Sequence, residues 1–464
     1  MTIPAPFEPA PELNLSDDML QAAAQLYPYT PDSALQAVSR LRERFSQEES
    51  ARILSLVQAR TKGEAKFGEY ARELMLTEHG VEQASRPVIA RYHAEFLRAA
   101  GASVIADIGC GIGADSMGFA RNGLNTVSIE MDPDTASYTA QNLRFSPQSQ
   151  VLVGDGTAAY DLLAQGALTN TSGEAVNALW LDPARRELSG TQGARTERIF
   201  DPEAYSPPFS FVLKLARLGL PMGVKMGPGA PHEAIPSPEE LVSERNPHPS
   251  VQAQWVQHGG DLVELVLWFN CSPAASDSPQ EGANYSALII SGDTAAGHNL
   301  EIQRLSGIPD DLIQESPLEE QEHSLPKTVL PAPGDIIYEP GAAAVRSHLV
   351  TTLAEQINAE FIDPNIAYLR AESYTPTPFA KGYRVLEQIP VQDKALKKWV
   401  KARGFTALTI KKRGVDIVPE KLRAQLLAGS KKKKEHKHAT LIFTRVGQGS
   451  AAQRYGWWVE PLEH

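Results

Sequence analysis

Residues 103–134 read SVIADIGCGIGADSMGFARNGLNTVSIEMDPD, and this stretch decides the architecture. Val104, Ile105 and Ala106 form a short apolar run suited to burial in a parallel sheet. Gly109, Gly111 and Gly113 follow at alternate positions, where a backbone can turn tightly and a ligand can approach without meeting a Cβ. Helical spacing resumes over 115–121, with Met117, Phe119 and Ala120 available to pack. A second strand over 126–129 ends in Glu130. Strand, glycine loop, helix and strand make a ligand-binding βαβ unit.

Two ligands compete for it. Gly109-x-Gly111-x-x-Ala114 fits a dinucleotide fingerprint, with Glu130 placed as the ribose-binding acid. Asp107-x-Gly109-x-Gly111-x-Gly113 resembles more closely the S-adenosylmethionine (SAM) loop of class I methyltransferases. SAM brings a sulfonium and an ammonium group but no diphosphate. An acid beside the loop suits such a cation and repels a diphosphate, so Asp107 favours SAM.

The chain has 464 residues, 42% hydrophobic and 22% charged, which is room for about three soluble domains. Two cysteines, Cys110 and Cys271, cannot build a disulfide framework, which fits a reducing, cytoplasmic setting. The start, MTIPAPFEPAPELNLSDD, lacks the basic flank and apolar core of a signal peptide. No apolar run approaches the roughly 20 residues a membrane span needs. Cys110, Cys271 and the scattered His232, His248 and His258 have no metal-ligand spacing, so no metal is expected. Net charge is −12, yet residues 381–445 carry 18 Lys and Arg against 5 Asp and Glu, or +13, leaving about −25 elsewhere.

The expected order is an N-terminal helical domain (1–97), an α/β domain (98–295), a linker (296–335) and a C-terminal α+β domain (336–464). Residues 1–15 read as a disordered or draped lead-in, and Ser16 as an N-cap. The polar, glycine-bearing stretch at 66–68 and 77–86 reads either as an interhelical loop or as a flap over the ligand site. Further strands are expected at 150–153, 175–181 and 222–226, with 261–270 and 285–291 as a final antiparallel pair. In an open α/β sheet, ligands lie beyond the carboxyl ends of the strands. Asp107, Glu130, Asp155 and Asp182 each follow one of four successive strands, so all four converge on one edge. Asp132 is an alternative to Glu130. Gly109, Cys110, Gly111, Gly113, Asp115, Met131 and Gly156 complete the expected cofactor set. In methyltransferases the acid after the second strand takes the ribose hydroxyls and that after the third bonds the adenine amine, roles that fall to Glu130 and Asp155.

Asp182-Pro183-Ala184-Arg185 stands where amine-methylating enzymes resemble one another in an Asp/Asn-Pro-Pro-aromatic motif. Methyl transfer demands an oriented lone pair and the handling of one proton, and Asp182 can do both. Ala184 and Arg185 depart from the pattern. Arg185 can stack or bind phosphate, and Arg185-Arg186 can equally be a surface pair. Asp182, Pro183 and Arg185 are the catalytic candidates, with Arg186 and Lys225 on the substrate side.

Lys394, Lys397, Lys398 and Lys401 lie at i, i+3, i+4 and i+7, on one face of a helix whose only acid is Asp393. With Lys411, Lys412 and Arg413 they read as a phosphate-binding footprint. The run Lys431 to Lys434 reads as a solvated loop. Trp457, Trp458 and Phe443 are either base-stacking or core residues.

The motifs GCGIGAD, WLDPARRE, FDPEAYSPP, GVKMGPG, YEPG and LTIKKRGVDIVPEKL together resemble the actinobacterial class I SAM-dependent methyltransferases with a C-terminal THUMP-like domain. The resemblance spans nearly the whole chain, and the fold is similar to trimethylguanosine synthases. It implies a Rossmann-like seven-stranded α/β domain, SAM as cofactor, and methylation of a base in RNA, tRNA or rRNA. A non-catalytic SAM- and RNA-binding protein and a small-molecule methyltransferase are the alternatives, and a dinucleotide oxidoreductase is the most remote.

Overall fold

The computed structural model describes residues 6–29, 34–185, 202–271, 284–292, 300–310, 329–428, 437–447, 449 and 452–462. The chain divides into two compact units, 1–279 with 290–302 and 280–289 with 303–464.

In the first unit the proline-rich lead-in is draped along a sheet. Phe7 and Leu15 are buried, and β1 (Glu8–Pro9) pairs antiparallel with Val153 and Leu152. Ser16 caps α1 (Asp17–Leu26) by accepting from the Met19 N–H at 3.3 Å. After α2 (Ala34–Arg42), Ser46 and Glu49 form a capping box that starts α3 (Gln47–Phe67). The stretch read as loop or flap holds a short helix, α4 (Glu78–Gln83), capped by Thr77. Pro87 then opens α5 (Pro87–Ala99), whose fixed φ suits a first helical turn.

The sheet alternates with helices: β2 (Val104–Ile108), α6 (Ala114–Arg121), β3 (Asn125–Glu130), α7 (Pro133–Asn142), β4 (Gln150–Val153), α8 (Ala159–Gln165) and β5 (Ala178–Leu181). Two short strands, β6 (Ala184–Arg185) and β7 (Tyr205–Ser206), pair with each other. Helix α9 (Phe209–Ala216) leads to β8 (Met222–Met226), and β9 (Val251–His258) and β10 (Asp261–Phe269) finish the series. Spatial order is β1-β4-β3-β2-β5-β8-β10-β9. The β2, β3, β4, β5 and β8 pairings are parallel, while β10 runs antiparallel to both β8 and β9. This is the expected class I methyltransferase layout.

One expectation needs correcting. The antiparallel pair next to β8 is β9 with β10, joined through Gly259 and Gly260 at φ 60 and 91, and not residues 261–270 with 285–291. Strand β9 reads VQAQWVQH, and its polar Gln254 is buried rather than solvent-facing. The Gln254 side-chain carbonyl accepts from Trp268 Nε1 at 2.7 Å and from the Tyr92 hydroxyl, which ties the buried oxygen into the core. That exchange breaks the apolar alternation by which a strand is read.

The centre of this sheet is packed around two indoles. A Cβ added at Gly223 of β8 would stand 2.5 Å from both Trp180 and Trp268 rings, which are fully buried. Gly223→Ala is therefore expected to cost about 1–3 kcal/mol through overpacking, read as a lowered denaturation midpoint at unchanged slope.

Strands β11 (Tyr285–Ser291) and β12 (Glu301–Gly307) lie where the division between units passes. The second unit proper runs β13 (Ile336–Pro340), α10 (Ala342–Arg346), α11 (Val350–Gln356), β14 (Glu360–Asp363), β15 (Ile366–Ala371), β16 (Ala380–Gln388), α12 (Asp393–Arg403), β17 (Ala407–Lys412), α13 (Pro419–Leu427), β18 (His438–Val446) and β19 (Gln453–Pro461). Its sheet order is β14-β15-β13-β16-β19-β18-β17, antiparallel except for β17 with β18. Leu396, Trp399 and Val400 of α12 pack with Leu422 and Leu426 of α13 onto Leu408, Ile410, Leu441 and Phe443. Trp457 is also core, its Nε1 donating to the Pro331 carbonyl at 3.1 Å.

Candidate functional site

Beyond the carboxyl ends of β2, β3, β4 and β5 lies a cavity of about 440 Å³. Asp107, Gly109, Cys110, Gly111, Asp115, Glu130, Met131, Asp155, Gly156 and Asp182 all line it. Gly113 does not; it takes φ 78 as the N-cap of α6, packed against Thr139. Gly109 and Gly111 adopt φ 79 and 55, and a Cβ on either would project into open space, so a ligand can lie against bare backbone here.

Each strand-end acid has a distinct environment. Asp107 is buried and accepts from the Ser116 hydroxyl, which also lies 2.8 Å from Ser128 Oγ. Burial, reinforced by Asp115, Asp182 and Glu130, pushes the Asp107 carboxyl up to about 8. Glu130 braces the glycine loop: Oε2 accepts from the Gly111 N–H at 2.9 Å and Oε1 from the Asp132 N–H at 3.0 Å. Asp132 instead caps α7 through the Thr135 N–H at 2.7 Å. Asp155, exposed, accepts from both the N–H and the hydroxyl of Thr157. Met131 stands 60% exposed at the rim.

Asp182 is answered by Lys225, assigned from the sequence to the substrate side. The Lys225 ammonium instead lies under the site, 2.6 Å from Asp182 Oδ2, and also donates to the Gln83 carbonyl at 2.9 Å and Ser85 Oγ at 3.3 Å. Burial raises the Asp182 carboxyl above its usual range and Lys225 works against that rise. For Lys225, burial disfavours the charge, but Asp182, Asp115 and Glu264 outweigh it and hold the pKa high. Arg186 lies outside the described residues, as does the side chain of Arg185.

Beneath the cavity floor sits a group that sequence reading missed. His93 of α5 is fully buried, with Nδ1 2.8 Å from Asp115 Oδ1 and Nε2 2.8 Å from Glu264 Oε1. Two carboxylates facing both ring nitrogens call for an imidazolium, which donates at each. Burial alone would lower the His93 pKa; the Glu264 and Asp115 carboxylates overcome it and hold it at about 9. The same ring packs against Trp180, centroids 4.2 Å apart and planes tilted by 32°. Burial works against the Asp115 carboxylate too, but His93, Lys225 and Ser85 leave its pKa below the usual value. Nothing in sequence marks His93, which stands amid the apolar Val88, Ile89, Tyr92 and Leu97, 22 and 171 residues from its partners.

The His93 pKa rises on folding, so its stabilisation is present below the unfolded value of 6.5 and disappears as pH climbs through about 9. Asp107 acts in the same direction, since the folded protein keeps a proton up to about 8 that the unfolded chain releases at 3.8. Folding stability should therefore fall between pH 6.5 and 9, by on the order of 3 kcal/mol from the histidine. Urea unfolding at pH 6, 7.5 and 9.5 measures the fall, and His93→Gln should remove the histidine's share.

Thr77, His79, Gly80, Gln83 and Ala84 also line the cavity, so the 77–86 stretch covers it. Ser206, Pro207 and Pro208, from the FDPEAYSPP motif, form a further wall. Among the described residues no His, Cys, Asp or Glu cluster is arranged to hold a metal ion. No described helix is long and apolar enough to cross a membrane.

In the second unit, Lys394, Lys397, Lys398 and Lys401 are all exposed on the outer face of α12, opposite Leu396, Trp399 and Val400. Lys411 and Arg413 are committed internally. Lys411 pairs with Glu339 at 2.6 Å, and Arg413 donates to the carbonyls of Ala367 at 2.9 Å and Pro340 at 2.7 Å. Lys412 is exposed. The Lys431 to Lys434 run is outside the described residues.

Parallel strands ending in acids, a bare glycine loop and a carboxylate-lined cavity define a class: the class I SAM-dependent methyltransferase fold. Comparison with known proteins agrees. Two curated proteins of Mycobacterium tuberculosis, from strains CDC 1551 and H37Rv, are each named an uncharacterized S-adenosylmethionine-dependent methyltransferase. Each is 26% identical over 377 residues, spanning 81% of this chain and 86% of the relative. A crystal structure from Porphyromonas gingivalis W83, assigned as a methyltransferase, matches with a TM-score of 0.69 at 17% identity, covering 97% of this chain and 100% of that one. Residues 380–461 match the family model described as THUMP domain-like. The chain is a homologue of SAM-dependent methyltransferases and carries a THUMP-like domain at 380–461.

Proposed function

We propose that this SAM-dependent methyltransferase modifies a base in RNA, with tRNA and rRNA as the substrate classes. The observation that carries the RNA assignment is the α12 face. Four exposed lysines at helical spacing lie within the segment that matches a THUMP-like model, and none pairs with an acid among the described residues. Such a face neutralises phosphates without reading sequence, as a shape-guided RNA-binding domain requires.

The cavity fits the cofactor. Its carboxylates suit a cationic ligand, and Gly109 and Gly111 leave the room a Cβ would fill. Glu130 would take the ribose hydroxyls with the lone pairs left over from the Gly111 and Asp132 N–H groups, and Asp155 the adenine amine. Bound SAM supplies a methyl group on a sulfonium, open to in-line displacement. Asp182 then orients the acceptor. Lys225 occupies Oδ2, which leaves Oδ1 to accept an N–H from the base, aim its lone pair, and receive the proton released after transfer. Pro183 follows Asp182 directly between β5 and β6, where its ring fixes φ beside the acceptor-side carboxylate.

The test is transfer of labelled methyl from SAM to total RNA of a strain lacking the protein, followed by nuclease digestion and nucleoside analysis. Label in one modified nucleoside supports the reading. Label confined to small molecules, or absent from RNA while SAM binds, overturns it.

A further inference from the structure

The cover over the cofactor cavity is anchored by two ammonium groups. Lys66 of α3 donates to the carbonyls of Val81 at 2.6 Å, Glu82 at 3.0 Å and Ala84 at 2.7 Å. Lys225 of β8 takes the carbonyl between them, that of Gln83, at 2.9 Å, and reaches Ser85 Oγ at 3.3 Å. Ser85 in turn donates to Asp115 Oδ2 at 2.8 Å. Four successive carbonyls of the covering stretch thus end on lysines. Lys225 uses its remaining donor on Asp182, the carboxylate that faces the acceptor.

We propose that Lys225 is a positioning residue that ties Asp182 to the 77–85 cover, so that one ammonium sets both cofactor retention and the pose of the acceptor-side carboxylate. The inference rests on the SAM reading of the cavity. Lys225 lies beneath the lining, and its effect on cofactor passes through Gln83 and Ser85, which it holds in place. Three donors of one ammonium meet three acceptors, which is the full capacity of the group. The titratable groups around the pair are Asp107 on β2, which holds its proton up to about pH 8, Asp115 on α6 and Glu264 on β10, which share the His93 imidazolium of α5, and Lys66 on α3. A neutral side chain at 225 would leave Asp182 without its nearest counter-charge as well as releasing the cover.

Affinity and motion are linked. A cover closed for only a tenth of the time raises the apparent Kd about tenfold. The experiment compares the full chain with Lys225→Met, Lys225→Arg and the double variant Lys225→Met/Asp182→Asn, which removes both charges and so avoids a buried unpaired carboxylate. Hydrogen exchange reports the amides of 78–86, and calorimetry reports SAM affinity. Met at 225, alone or with Asn at 182, should speed exchange in 78–86 while leaving α12 unchanged, and weaken SAM binding about tenfold or more. Arg, which keeps the charge and several donors, should restore protection in good part. Unchanged exchange across 78–86 in the double variant overturns the proposal. If the wild type itself binds no SAM, the functional reading fails, and the exchange comparison still decides whether Lys225 holds the cover.

Discussion

Asp182→Ala should lower methyl incorporation into RNA by about 10²–10⁴-fold, the range for losing a positioned acid–base group. The variant strips both oxygens from the end of β5. It leaves the glycine loop, Glu130 and Asp155 untouched, and Lys225 keeps its contacts with Gln83 and Ser85. SAM binding should therefore change by no more than a few-fold, so the loss should fall on kcat and not on cofactor affinity. Asp182→Asn keeps the shape of the side chain but leaves a single acceptor oxygen, which Lys225 already engages, so the amide NH2 turns toward the acceptor and cannot accept its N–H. Asn should therefore lose both the orienting and the base role and cost about a hundredfold or more. Single-turnover transfer from labelled SAM, with binding checked by calorimetry, measures each. Incorporation by the Ala variant equal to wild type would remove Asp182 from catalysis.

The parts of the site that could be read in advance are those built by local rules. Asp107 and Glu130 lie at the carboxyl ends of β2 and β3, and Asp155 and Asp182 just beyond β4 and β5, so the chain order of strand and acid already sets them on one edge. Gly109 and Gly111 reveal themselves by residue type and spacing, since glycine takes their positive φ at least cost and brings no Cβ into the ligand's space. What escaped is held together across the chain. Lys225 finds Gln83 and Ser85 about 140 residues earlier, and His93 finds Glu264 171 residues later. No periodicity encodes such meetings. A buried charge also looks like a surface one in sequence: Lys225, Lys411 and Arg413 read as ligand-facing cations, yet each spends its donors on internal oxygens. The reverse error hid β9, where buried Gln254 imitates an exposed residue. In the second unit, His348 at φ 55 turns the chain between α10 and α11, a break that no glycine or proline at that position announces.

The four lysines of α12 are the opposite case, since amphipathic spacing alone placed them on one face and the fold leaves that face open. Changing Lys394, Lys397, Lys398 and Lys401 together to Glu reverses the charge of the face without touching Leu396, Trp399 or Val400, which hold the helix to its sheet. If each lysine neutralises one phosphate, loss of four contacts should lower the slope of log affinity against log salt by about 3 in magnitude. At near-physiological salt, the affinity for bulk tRNA should fall by about a hundredfold or more. The loss should be uniform across RNA sequences, because contacts to phosphate position the RNA and do not read its bases. Filter binding over a salt series measures the slope. The circular dichroism spectrum and SAM affinity serve as controls, both expected to be unaltered. A tRNA affinity that survives the four changes, or a salt slope that does not move, would place the RNA footprint elsewhere on the chain.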